Sequence, residues 1–140
     1  MIKVLIIDDE LAEKELIACK LTRLFGSDGY SIHHAFKCSE AIKLLLQYQY
    51  DFVLLDNNLA ASISGQFSVP IIKQYVQNAK LVIISNNIDE DYLQSKTILG
   101  VDDIVDKAYL EDFFRAFYGQ DMTTTAPIKV ARSNVETAAL

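Results

Sequence analysis

Short, unbroken apolar runs separated by longer helical patterns set the architecture of this chain. Lys3–Ile7 (KVLII), Asp51–Leu55 (DFVLL) and Leu81–Ile84 (LVII) place apolar side chains at successive positions. A strand with one wet face alternates apolar and polar residues; these runs do not, so both of their faces are expected to be covered. Between them lie segments with apolar residues three and four apart. Leu11 to Phe25 carries Leu16, Ile17, Leu21, Leu24 and Phe25 and stops at Gly26. A second helix opens at Ser39 and carries Ala41, Ile42, Leu45 and Leu46. A third is expected over about Ser68–Gln77 with Pro70 in its first turn, and a fourth over Asp89–Leu99, ended by Gly100. Tyr30–Phe36 reads as an edge strand, Val101–Val105 as a fifth strand and Leu110–Tyr118 as a fifth helix. Asn57–Gly65 is polar and rich in small residues, which predicts a loop.

Strands alternating with helices give βαβ units and a parallel sheet covered on both faces. Right-handed crossovers then make the fold class α/β, doubly wound, with five strands and five helices. The 140 residues suit one domain, and 51% hydrophobic content supplies a core. A formal charge of −6 without a basic cluster argues against direct binding to nucleic acid. No apolar run approaches the roughly 20 residues of a membrane helix, and Met1–Lys3 leads into a short apolar run and acids, which is not the pattern expected of a signal peptide. Cys19 and Cys38 are too few for a disulfide framework or zinc site and are expected to be buried or half-buried in a reducing compartment. A soluble cytoplasmic protein is therefore expected.

In a doubly wound sheet, ligands sit beyond the carboxyl ends of the strands. Just after the apolar runs stand Asp8, Asp9 and Glu10, then Asp56, then Ser85, then Asp106 and Lys107. Acids brought together this way repel, and at least one is pushed up in pKa unless a cation intervenes. Magnesium suits such hard oxygen ligands. Lys107 adds a compact positive charge and Ser85 a hydroxyl donor. Together they equip a pocket for phosphoryl transfer to a carboxylate, in which catalysis is mostly positioning and charge neutralisation.

In order and spacing, this set resembles the receiver domain of bacterial response regulators, of the chemotaxis-type single-domain kind, from about Ile2 to about Tyr118. The resemblance implies a flavodoxin-like strand order 2-1-3-4-5 and a receiver domain over 1–119, followed by a tail over 120–140. It implies Asp56 as phosphoacceptor, taking its phosphoryl group from a sensor histidine kinase or a phosphotransfer protein. It implies Mg2+ held by Asp8, Asp9, Asp56 and the carbonyl of Asn58. Ser85 becomes the switch hydroxyl and Lys107 the partner of Asp56 or of the phosphoryl group. The output is then altered binding to a downstream protein, and a homodimer is compatible with it. The module is no enzyme in its own right, although it assists its own phosphorylation and dephosphorylation.

The sequence departs from that family at several places. Ala108 follows Lys107 where proline is usual, Ala60 stands near another usual proline, and the loop to Gly65 is about one residue longer. Ile104 stands where the family commonly has an aromatic switch residue, which places output by that rotamer in question. A receiver-shaped, constitutive interaction domain is therefore the first alternative. An aspartate-nucleophile phosphohydrolase is a more distant one, since its nucleophile follows the first strand in a D-x-D pattern and here the run is Asp8-Asp9-Glu10.

Other features have plainer explanations. Asp8–Glu10 taken alone suit the start of a helix. His33 and His34, adjacent on a strand, point to opposite faces and cannot share a metal. Phe113, Phe114 and Phe117 form a core stripe, leaving Tyr109 and Tyr118 as candidate exposed contacts. Asn58 and Asn87 flank the site and are placed to tune phosphate lifetime. In the tail, Ser133 and Glu136 form a capping-box pattern before a short terminal helix.

Overall fold

The computed structural model describes residues 1–59, 63–86 and 100–118. The expected helix over Asp89–Leu99, the tail over 120–140, Ala60 and Asn87 lie outside them. Strand β1 (Ile2–Ile7), helix α1 (Leu11–Phe25), β2 (Tyr30–Ala35), α2 (Cys38–Gln47) and β3 (Phe52–Asp56) follow the sequence pattern closely. Next come β4 (Asn58–Leu59), β5 (Ile63–Ser64), α3 (Gly65–Lys73), β6 (Lys80–Ser85) and β7 (Asp103–Asp106). A 3-10 turn (Lys107–Tyr109) then leads into α4 (Leu110–Tyr118).

The main sheet has the order β2-β1-β3-β6-β7, and every pairing in it is parallel. Counted within that sheet, this is the 2-1-3-4-5 order of the flavodoxin-like fold, with β2 at the edge as expected. Successive strand residues feed opposite layers. Leu5, Ile7, Val53, Leu55, Leu81, Ile83 and Ile104 pack toward α2 and α3. Val4, Ile6, Phe52, Leu54, Val82, Ile84 and Val105 pack toward α1 and α4. Each central strand is thus dry on both faces, which is why the runs lack polar alternation.

Several local expectations are corrected. The loop after β3 contains a small antiparallel hairpin, with Asn58 opposite Ser64 and Leu59 opposite Ile63. The hairpin runs directly into α3, which therefore begins at Gly65 rather than near Ser68. Pro70 is consequently inside α3, beyond the first turn, where its missing N–H removes an intrahelical donor. The helix ends at Lys73, well before Gln77, and Lys73 Nζ reaches the Gly100 carbonyl at 2.6 Å. Cys19 is exposed, not buried.

Phe52 anchors the α4 layer. It is 1% exposed and meets Phe114 and Phe117 edge-on at 5.0 Å each. Phe117 is 46% exposed despite this contact, so the core stripe is complete only at Leu110, Phe113 and Phe114. Tyr118 is half-buried against Phe25 at 5.5 Å, which corrects its reading as an exposed contact; Tyr109 is exposed. Phe52→Ala is expected to lower the folding free energy by about 3–5 kcal/mol, because it opens a cavity under four aromatic rings. Phe117→Ala should cost far less. Urea denaturation of both variants would read the difference, and equal losses would refute Phe52 as the anchor.

Candidate functional site

Because all main-sheet strands are parallel, the residues that end them meet at one edge. Asp8, 0% exposed, follows β1; Asp56, 6% exposed, ends β3; Ser85, 2% exposed, ends β6. Lys107 follows β7 and lies among them. Its Nζ stands 3.0 Å from Asp56 Oδ1 and 3.5 Å from Asp8 Oδ2. Asp9 joins the same cluster, since one carboxylate oxygen from each of Asp8, Asp9 and Glu10 lies within 4.8 Å of the other two. Asn57 between Asp56 and β4 is fully buried, and its N–H donates to the Ile84 carbonyl at 3.0 Å. Asn58, the expected carbonyl ligand, opens β4.

Asp8 serves two ends. Its Oδ1 accepts the Glu10 N–H at 2.9 Å, the helix-start role that acids commonly take, while Oδ2 faces Lys107. Asp106 does not join the cluster. Its Oδ1 accepts the Ala108 N–H at 2.9 Å and caps the 3-10 turn, a bond that a proline at 108 could not supply.

Three contributors were missed in the sequence. Glu13, in the first turn of α1, places Oε1 2.9 Å from Lys107 Nζ. Lys20, two turns further along α1, donates from Nζ to the Lys107 carbonyl at 2.8 Å. His34 Nε2 lies 2.7 Å from the Asp8 carbonyl, which can only accept, so this nitrogen carries the proton. His33 bonds the Tyr50 hydroxyl at 2.7 Å instead, so the two histidines diverge as expected. Helical spacing puts Glu13 and Lys20 on one face of α1, but nothing local says that this face meets Lys107.

The electrostatics follow from burial. Burial pushes the Asp8 carboxyl up to about 6; the nearby Asp56 and Glu13 charges add to the shift, while the Glu10 N–H and Lys107 oppose it. Burial also raises Asp56, with Asp9 and Glu13 adding to the effect and Lys107 resisting it. Burial works against the Lys107 charge, but its bonds to Glu13 and Asp56 outweigh that and raise its pKa above the ordinary lysine value. Hard, buried carboxylate oxygens in mutual repulsion are a donor set that a magnesium ion fits. Among the described residues, Asp8, Asp9 and Glu10 bring carboxylate oxygens close enough to share such an ion.

The model of the response regulator receiver domain matches residues 4–116. The chain belongs to that family. Among solved structures, this receiver domain is similar to response regulator TrrA of Thermotoga maritima, in complex with Mg2+ and BeF. Identity is 26% and the TM-score 0.65, over 84% of this chain and 96% of that one. It is also similar to the receiver domain of sensor histidine kinase PA1611 of Pseudomonas aeruginosa, which holds magnesium in its active-site cleft. There identity is 17% and the TM-score 0.64, over 84% and 98% of the two chains. A two-component response regulator of Clostridium difficile gives 22% identity and a TM-score of 0.67, over 89% and 100%. A search of the curated proteins finds no match. No helix among the described residues is long and apolar enough to cross a membrane.

The raised Asp8 pKa fixes a sign for stability. The folded state holds this proton more tightly than the unfolded chain does. The ionised carboxylate therefore opposes folding above about pH 6, and the penalty fades as pH falls toward the ordinary value of 3.8. Asp8→Asn is expected to stabilise the metal-free protein at pH 7 by on the order of 2 kcal/mol, with a smaller gain at pH 4.5. Thermal unfolding in EDTA at both pH values checks this.

Proposed function

We propose that this receiver domain is a phosphoacceptor module of two-component signalling, with Asp56 as the acceptor. The observation that carries the reading is the buried Asp56–Lys107 pair at 3.0 Å, set among Asp8, Asp9 and Ser85 where β1, β3, β6 and β7 end. The donor is the phosphohistidine of a sensor kinase or phosphotransfer protein in the cytoplasm. An Asp56 carboxylate oxygen attacks phosphorus, an O–P bond forms and the N–P bond breaks, and the imidazole leaves with the electron pair and takes up a proton. Lys107 favours the ionised form of Asp56 before transfer and neutralises phosphoryl oxygens afterwards. The Ser85 hydroxyl donates to the new group. Magnesium, when held by Asp8, Asp9, Asp56 and the Asn58 carbonyl, supplies further charge neutralisation at those oxygens. The phosphoryl group then shifts the population of a surface that binds a downstream protein.

A second reading is favoured by one observation. Ile104 is 0% exposed and packs in the layer beneath α2 and α3, so this position offers no aromatic ring to swing. A receiver-shaped domain that binds its partner constitutively is the function which that residue supports. The aspartate-nucleophile phosphohydrolase has no comparable support, because Asp56 follows the third strand.

Incubation with acetyl phosphate, with and without Mg2+, followed by intact mass, tests the proposal. A magnesium-dependent adduct of one phosphoryl group that is lost in Asp56→Asn is expected. Its absence under all conditions, including a phosphohistidine donor, would refute the acceptor role. Partner binding unchanged by phosphorylation would favour the constitutive domain, and multiple turnover of a phosphomonoester would favour the hydrolase.

A further inference from the structure

We propose that α1 is a clamp that positions Lys107 for the phosphoryl group, with Glu13 holding its ammonium and Lys20 its carbonyl. This rests on reading Asp56 as the phosphoacceptor. Lys107 sits in a 3-10 turn, and a lysine stem there is flexible and able to swing into solvent. Two bonds from one helix remove that freedom. Glu13 Oε1 lies 2.9 Å from Nζ, and both side chains are only 14% exposed. Lys20 Nζ lies 2.8 Å from the Lys107 carbonyl. Glu13 and Lys20 are two helical turns apart, so they project from α1 in nearly the same direction. The turn itself is fixed from the other side by the Asp106–Ala108 bond of 2.9 Å.

The reason a clamp matters is the change in charge at Asp56. Before transfer, the Asp56 carboxylate attracts the ammonium. Once that oxygen is phosphorylated it loses its charge, and the negative charge moves outward onto the phosphoryl oxygens. The Glu13 contact does not depend on the state of Asp56. It keeps Nζ in place while the attraction shifts from one group to the other. Ammonium has three N–H donors, which before transfer meet Glu13, Asp56 and, at 3.5 Å, Asp8; keeping the Glu13 bond leaves two to be redistributed when the phosphoryl group arrives. Glu13 and Lys20 bond to Lys107 and are positioning residues that act through it, while the Glu13 charge also bears on Asp56.

Two measurements test the clamp, one of which needs no phosphorylation. Lys107 lines a cleft of about 220 Å³ with Lys20 and Ala108, so a small acylating reagent can reach its amine. In brief labelling with acetic anhydride read by peptide mass, Glu13→Ala is expected to raise Lys107 modification several-fold relative to the other lysines. Glu13→Gln, which keeps an acceptor oxygen and the side-chain shape, should restore most of the protection. In the acetyl phosphate reaction, Glu13→Ala should slow phosphorylation about tenfold, the scale of a mispositioned group. It should slow it no further in a Lys107→Ala background.

Unchanged Lys107 labelling in Glu13→Ala would overturn the clamp whatever the phosphorylation rate. Equal slowing with and without Lys107 would overturn it too, since Glu13 would then act by another route. Raised labelling with no phosphoryl adduct on the unaltered chain from acetyl phosphate or a phosphohistidine donor would support the hold of Glu13 on Lys107 and overturn the phosphoacceptor reading, so the two failures are distinguishable.

Discussion

Among the described residues, the Lys107 ammonium compensates a set of carboxylates that would otherwise repel one another at the carboxyl edge of the sheet. Lys107 lies within 3.0 Å of Asp56, 2.9 Å of Glu13 and 3.5 Å of Asp8, and its backbone carbonyl is tied to Lys20. In bulk water such pairs contribute little, but these groups are mostly removed from solvent, where both the attraction and the repulsion strengthen. The geometry of α1, β1, β3 and the β7–α4 turn is therefore coupled through one side chain. Asp8, the least exposed of these carboxylates, is pushed up to about 6 chiefly by burial, with the neighbouring carboxylates adding to the shift.

The fold tolerates that repulsion because its cohesion comes from elsewhere. Two apolar layers, one beneath α2 and α3 and the other beneath α1 and α4, sandwich a sheet whose central strands expose almost nothing. The strand ends are then free to be chosen for chemistry, and an acidic cluster can persist at the sheet edge. A divalent cation among the same oxygens would relieve the repulsion that the protein alone leaves unbalanced.

The departures from the family pattern have distinct structural consequences. Ala108 contributes an N–H to Asp106 and so locks the turn that carries Lys107. Ile104 fills a fully buried core position in place of the usual ring. The first departure leaves the turn ordered by another bond, whereas the second puts an aliphatic side chain in the layer beneath α2 and α3.

Much of this was legible in the sequence, because it depends on local periodicity and on where each apolar run ends. Unbroken runs fixed which segments are doubly buried strands. Parallel order then placed Asp8, Asp56, Ser85 and Lys107 at one edge, since each follows a strand in the same sense. What local pattern could not specify was the partner of each polar group. Glu13 and Lys20 read as ordinary helix-surface charges, and Asp106 as one more acid in the cluster, until the packing of α1 against the β7–α4 turn assigned them. The start of α3, the β4–β5 hairpin and the half-buried Tyr118 were likewise set by tertiary neighbours. Period and chain order determine which residues reach the sheet edge; only the three-dimensional approach of elements distant in sequence decides which charge faces which.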